Sequence, residues 1–137
     1  MKKYNIIVVF DKTEKRILMC KRAKNPFKGK FNFVGGKVEQ GETEDAAAYR
    51  ELYEETGISK EDIILTRLMD FKYYTNDLEL EVYSGKLNKD VTLVEEINKL
   101  SWIDRTENFC DMERFAGKSN IEHILQIVES YKEVTLK

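Results

Sequence analysis

The chain has 137 residues, 42% of them hydrophobic and 35% charged, with a formal net charge of −2 at pH 7. That length suits a single domain, residues 1–137, able to bury a core without disulfide or metal staples, and the near-neutral balance excludes a global field that would draw in nucleic acid or an anionic membrane. The two cysteines, Cys20 and Cys110, match no metal-ligand spacing and are too few for a secreted disulfide framework, so a reducing cytoplasm is the expected compartment.

The opening MKKYNIIVVF sets two lysines before a short apolar run. That run stops at Asp11 without a small-residue cleavage site, so residues 4–10 read as a first strand rather than a secretion signal, and nothing reaches the length of a membrane span. After the polar turn DKTEK, residues 16–20 (RILMC) form a second strand. KRAKNPFKGK, with the sole proline and five basic residues, is a loop, and FNFVGGKV after it is a short strand interrupted by Gly35 and Gly36.

Thr43 is a good N-cap, Glu44 and Asp45 suit the first turn of a helix running to Thr56, and Gly57 suits the left-handed position that ends it. Residues 63–75 and 78–87 read as two long strands around Thr75, Asn76 and Asp77. Leu78, Leu80 and Val82 alternate with Glu79, Glu81 and Tyr83, which predicts one core face and one solvated face. LSWI is a further short strand. Ser119 to Glu122 then make a Ser-x-x-Glu capping box, opening a helix with Ile121, Ile124, Leu125, Val128 and Tyr131 on one stripe. Tyr73, Tyr74 and Trp102 are expected in the sheet and core.

On the first helix, Glu51, Glu54 and Glu55 fall within an arc of roughly 100°. Like-charge pairs at these spacings cost a few tenths of a kcal/mol each in water and more when partly buried. A cation should offset the repulsion, and magnesium, a hard ion that prefers oxygen and keeps some waters, would bring substrate phosphates with it. A solvated acidic face would show the same clustering, so the longer spacing decides. From Gly36 the chain reads G-x5-E-x7-R-E-L-x-E-E-x-G-I, formed by Gly36, Glu42, Arg50, Glu51, Leu52, Glu54, Glu55, Gly57 and Ile58. With usage of about one in fifteen per residue type, seven fixed identities coincide at random on the order of once in 10⁸ registers. The run resembles the box of the Nudix hydrolases at every defined position.

The resemblance implies an α/β/α sandwich with a mixed central sheet and the box as a loop-helix-loop unit. It also implies hydrolysis of nucleoside diphosphates linked to another moiety, with Mg²⁺ as cofactor and Mn²⁺ as a substitute. Carried over residue by residue, it makes Glu54 and Glu55 metal ligands, Glu51 a ligand or the base that activates water, and Arg50 an orienting partner for these carboxylates. Glu42 supports the site and the Gly35 carbonyl completes the metal shell. Glu96, six residues before Trp102, resembles a glutamate outside the box that some members use as ligand or base. Glu95 is its rival, and a solvated loop acid is the plain alternative for either.

The resemblance is nearest to the MutT-like branch, whose members remove oxidised purine nucleoside triphosphates by release of pyrophosphate; KFNFVGGKVEQGET carries it most strongly. It puts Asn32 on the floor of a base pocket, where an amide would read a purine edge; a plain strand residue would instead bond a nearby turn. SNIEHIL makes Asn120 a second candidate, although it equally fits a first turn behind Ser119. Phe115 either stacks on a base or plugs the core, and Arg22 resembles a basic residue near substrate phosphates. His123, the single histidine, is expected on the helix surface. The implied partner is a nucleotide, with no stable nucleic-acid complex, no membrane, and a monomer or homodimer. Tyr74 lies where some dinucleoside polyphosphate hydrolases carry a tyrosine, which keeps that class open beside ADP-ribose and RNA 5′ ends. A binding module of this fold that senses nucleotides without cleaving them would be expected to lose box carboxylates, and all are present.

Overall fold

The β-branched run of residues 6–9 forms the centre of the first strand, β1 (Lys2–Phe10), and the rest of the molecule is arranged on it. The computed structural model describes residues 1–116 and 120–131. Along the chain follow β2 (Arg16–Lys21), β3 (Phe31–Phe33), α1 (Glu44–Thr56), β4 (Thr66–Tyr73), β5 (Leu78–Lys86), β6 (Lys99–Asp104) and α2 (Asn120–Ser130). β1 lies parallel to β5 in a continuous ladder from Lys2↔Leu78 to Phe10↔Lys86, yet meets β2 only at Phe10↔Ile17. β2 pairs antiparallel with β3 and β6, and β4 flanks β5 antiparallel with an irregularity between Arg67 and Met69. The mixed sheet with a helix on each face is the sandwich expected from the sequence.

The pleat of β1 explains the layering, because successive side chains point to opposite faces. Val8 and Phe10 join a cluster with Met19, Val82, Ile121, Ile124, Leu125 and Val128 on the α2 side. Ile7 and Val9 join Leu18, Val34, Ala48, Leu52, Ile58 and Tyr83 on the α1 side. α1 is bounded as its caps dictate: the Ala46 N–H donates to Thr43 Oγ1 at 3.2 Å, and Gly57, at φ 79°, donates its N–H to the Tyr53 carbonyl at 2.9 Å.

Several expectations fail for a physical reason. Glu79, Glu81 and Tyr83 are 7%, 0% and 1% exposed, not solvated: Tyr83 packs with Ala48 and Leu52 of α1, and Glu81 lies among Lys3, Glu44, Arg67 and Asp70. The strand expected from residue 63 begins at Thr66, Ile63 making only a single bridge to Leu87. Tyr73 and Tyr74 lie outside the core, Tyr74 on a 3₁₀ turn at 77% exposure, and Tyr131 is exposed beyond the end of α2. Ser119 of the expected capping box lies outside the described residues. Among the described residues, no helix is long and apolar enough to cross a membrane.

Candidate active site

Behind β3 the chain turns through Gly35 and Gly36 against β1. The Asn5 N–H donates to the Gly36 carbonyl at 2.8 Å, and the Gly36 N–H to Asn5 Oδ1 at 2.9 Å. Gly35 has φ 150°, and a Cβ there would stand 2.1 Å from the Asn5 carbonyl oxygen. At Gly36 a Cβ would stand 2.3 Å from the Glu51 carboxyl carbon. The absent side chain is therefore what admits Glu51 to the turn.

The Gly35 N–H donates to Glu55 Oε2 at 3.1 Å, tying the turn to the last part of α1. Glu51, Glu54, Glu55 and Glu96 line one cavity of about 340 Å³, with Arg22 and Cys20 on its walls. Glu95 is not among the lining residues and accepts the Leu100 N–H at 2.7 Å. Burial pushes the Glu55 carboxyl up to about 7, with Glu51 and Glu96 adding to the effect against the Gly35 hydrogen bond. Burial also raises Glu51, opposed by Arg50. Cys20 is held as an inert thiol, its pKa raised by burial to about 11.

Arg50 supplies part of the positive charge that the glutamates require. Its Nε and Nη2 bond Glu42 at 3.0 and 2.7 Å, its Nη1 bonds Glu51 and Glu54 at 3.1 Å each, and Nη2 also reaches the Lys37 carbonyl at 3.1 Å. The guanidinium holds Glu42 down at about 2. Spread between Arg50 and Gly35, the box carboxylates do not bring three oxygens within 4.8 Å of one another among the described residues. Their donor set is hard oxygen throughout, which suits Mg²⁺ or Mn²⁺.

A second cavity of about 680 Å³ opens between the sheet and α2, lined in part by Asn32, Asn120, Phe27, Phe71 and His123. Arg22 lines both cavities. Asn32 Oδ1 accepts the Phe33 N–H at 2.8 Å, so the side chain offers the cavity its amide donors. His123 is exposed as expected, yet its ring centroid lies 6.1 Å from that of Phe71 at the cavity wall. Phe115 is the plug rather than the stacking platform: it is 1% exposed, packs beside Phe31 and Phe109, and does not line either cavity. Phe27 and Phe71 also line this cavity, and the sequence does not single them out. Phe27 sits in a basic loop without periodicity, and Phe71 in a strand where an aromatic ordinarily signals core; only an aromatic directly after the sole proline hinted at the first.

Residues 1–125 match the NUDIX domain, and the chain belongs to that family. Over 45 residues, 33% of this chain and 27% of the relative, it is 53% identical to the ADP-ribose pyrophosphatase of Methanocaldococcus jannaschii. Over 75 residues, 53% of this chain and 58% of the relative, it is 36% identical to the 8-oxo-dGTP diphosphatase of Escherichia coli. The matches thus span less than two thirds of either curated relative. The fold is similar to that of a C. elegans Ap4A hydrolase, solved as a binary complex, with a TM-score of 0.74, 19% identity, and coverage of 96% of this chain and 97% of the other.

Proposed function

We propose that the protein hydrolyses a phosphoric anhydride bond of a nucleotide, cutting a purine nucleoside triphosphate, oxidised or not, into monophosphate and pyrophosphate. The observation that carries this is the adjacency of an acidic cavity and a larger, partly aromatic one with Arg22 lining both. A base held between apolar walls and a few polar groups suits the larger cavity, and the amide donors of Asn32 suit the acceptor edge of a guanine-type base. Asn120 is a second polar contact there. Arg22 would hold phosphates between the cavities.

Glu54, Glu55 and the Gly35 carbonyl would hold Mg²⁺ or Mn²⁺, with Glu51 and Glu96 as further ligands or as the acceptor of the attacking water's proton, and Arg50 orienting the carboxylates. A divalent ion there supplies phosphate neutralisation and a more acidic water. The same reading has residues 1–137 act as one cytoplasmic domain, monomer or homodimer, without a membrane or stable nucleic-acid partner.

The test is a nucleotide panel with Mg²⁺, scoring pyrophosphate against orthophosphate release, with ¹⁸O-water expected to label the monophosphate. Orthophosphate as the sole first inorganic product would overturn the triphosphate assignment. Asn32→Ala is expected to lower kcat/KM for the preferred purine about 5- to 150-fold, the equivalent of a lost buried hydrogen bond of about 1–3 kcal/mol, and to leave dCTP unaffected. An equal fall for both would make Asn32 structural. A second reading, cleavage of ADP-ribose, draws on the 53% identity to the archaeal ADP-ribose pyrophosphatase. It predicts AMP and ribose 5-phosphate, without pyrophosphate, in the same panel.

A further inference from the structure

The face of β5 that turned out to be buried carries a charge cluster which hydrolysis at the box does not use. Glu79 and Glu81, together with Asp70 opposite Glu81 on β4, each bring a carboxylate oxygen within 4.8 Å of the others. Asp70 stands exposed at the rim, whereas Glu79 and Glu81 are 7% and 0% exposed. Both oxygens of Glu81 are buried without a hydrogen-bond partner. Lys3 Nζ is 4.0 Å from Glu81 Oε1, beyond hydrogen-bond reach, and is engaged by Glu44 Oε1 at 2.7 Å. Arg67 bonds the exposed partner, reaching Asp70 at 3.0 and 2.6 Å.

Lys3 and Arg67 stand near Glu81, and Lys72 lies opposite Glu79 on β4, yet neither oxygen of Glu81 receives a hydrogen bond. A buried, ionised carboxylate with no hydrogen bond is among the costliest arrangements in a protein, and either protons or a cation must neutralise it. We propose that Asp70, Glu79 and Glu81 form a second divalent-cation site, taking a hard, oxygen-preferring ion such as Mn²⁺, Mg²⁺ or Ca²⁺. Three carboxylate oxygens supply half of an octahedral shell, and the open side at Asp70 admits the waters that complete it.

The site is separate from the box. Glu51 to Glu55 lie about 10–16 Å further along α1 than Glu44, at about 1.5 Å per residue. Its effect is structural, since the ion ties β4, which lies at the edge of the sheet beyond its irregularity, to β5.

The test counts bound Mn²⁺ by electron paramagnetic resonance in a Glu54→Gln/Glu55→Gln protein, in which the box is disabled, and in the same protein with Glu81→Gln added. Thermal unfolding is followed at pH 7 with and without Mn²⁺ or Ca²⁺. The expected result is about one Mn²⁺ per chain in the first protein, at least about tenfold weaker binding in the second, and a metal-dependent rise in Tm that Glu81→Gln abolishes. Should Glu81→Gln fail to fold, Asp70→Asn at the rim is expected to weaken binding by about tenfold. No bound Mn²⁺ once the box is disabled, or binding and Tm response indifferent to both cluster variants, overturns the site and leaves protons as the neutralising species. Neither readout depends on hydrolysis, so the outcome is independent of the proposed activity.

Discussion

Glu55→Gln is expected to lower turnover at least about 10²-fold while making the metal-free protein more stable at neutral pH. Both effects come from one carboxylate held in a half-buried cavity for a cation. In the folded, metal-free chain its pKa is raised from 4.5 to about 7, with burial the leading cause. The sign follows from linkage. Between those two values the folded chain keeps a proton that the unfolded chain has released, so this group's contribution to stability falls as pH rises from about 4.5 to about 7 and stays low above it. Glutamine carries no charge to bury and removes the slope. Unfolding curves in chelator across that range, wild type against variant, measure it directly. Mg²⁺ should flatten the wild-type slope, and its apparent affinity should weaken by about tenfold per pH unit below 7, since one proton competes with the ion. Undiminished turnover in Glu55→Gln, or full activity after exhaustive chelation, would overturn the role given to the box.

Gly36→Ala should cost about 10²-fold in kcat/KM and leave the Tm within about 2 °C of wild type. The added Cβ would stand 2.3 to 2.6 Å from the three atoms of the Glu51 carboxyl group. That group ends a flexible side chain, so it moves aside while the backbone stays. Gly35→Ala makes the contrast, because its Cβ meets the Asn5 backbone at 2.1 Å with φ at 150°; there the loss should appear in Tm as well as in turnover. Steady-state kinetics beside thermal unfolding separates the two. Wild-type turnover in Gly36→Ala would mean that Glu51 does not act from the position it occupies.

The box helix was legible because its signals are local. Thr43 and Gly57 bound it, and the i, i+3, i+4 spacing of its glutamates puts them on one side. What a second element covers was not legible. Alternation along β5 correctly separated Leu80 and Val82 from Glu79 and Glu81, but it cannot tell which layer lies on either face. The start of a helix distant in sequence lies beside that face: Tyr83 donates to Asp45 at 2.8 Å, and Lys3, near Glu81, donates to Glu44 at 2.7 Å. Glu95 and Glu96 are neighbours of one type, and it takes the structure to show Glu96 lining the cavity and Glu95 engaged by the Leu100 N–H of β6. Phe115 offered two roles on one hydrophobicity, and its contacts with Phe31 and Phe109 decide between them.

The parallel ladder of β1 and β5 also sets an order of assembly. During synthesis β1 precedes its long parallel partner, and until residues 78–86 follow, its residues Ile7 to Phe10, at most 1% exposed in the finished fold, have only the single bridges Ile7↔Val34 and Phe10↔Ile17. The box and α1 are made entirely within that interval, so the helix that carries the glutamates must wait for a distant strand before it has a completed sheet to pack on. Such non-local closure slows folding, and an unpaired apolar strand can pair with other chains meanwhile. The segment at the geometric centre of the native sheet is thus the one most dependent, in the nascent chain, on protection from its neighbours.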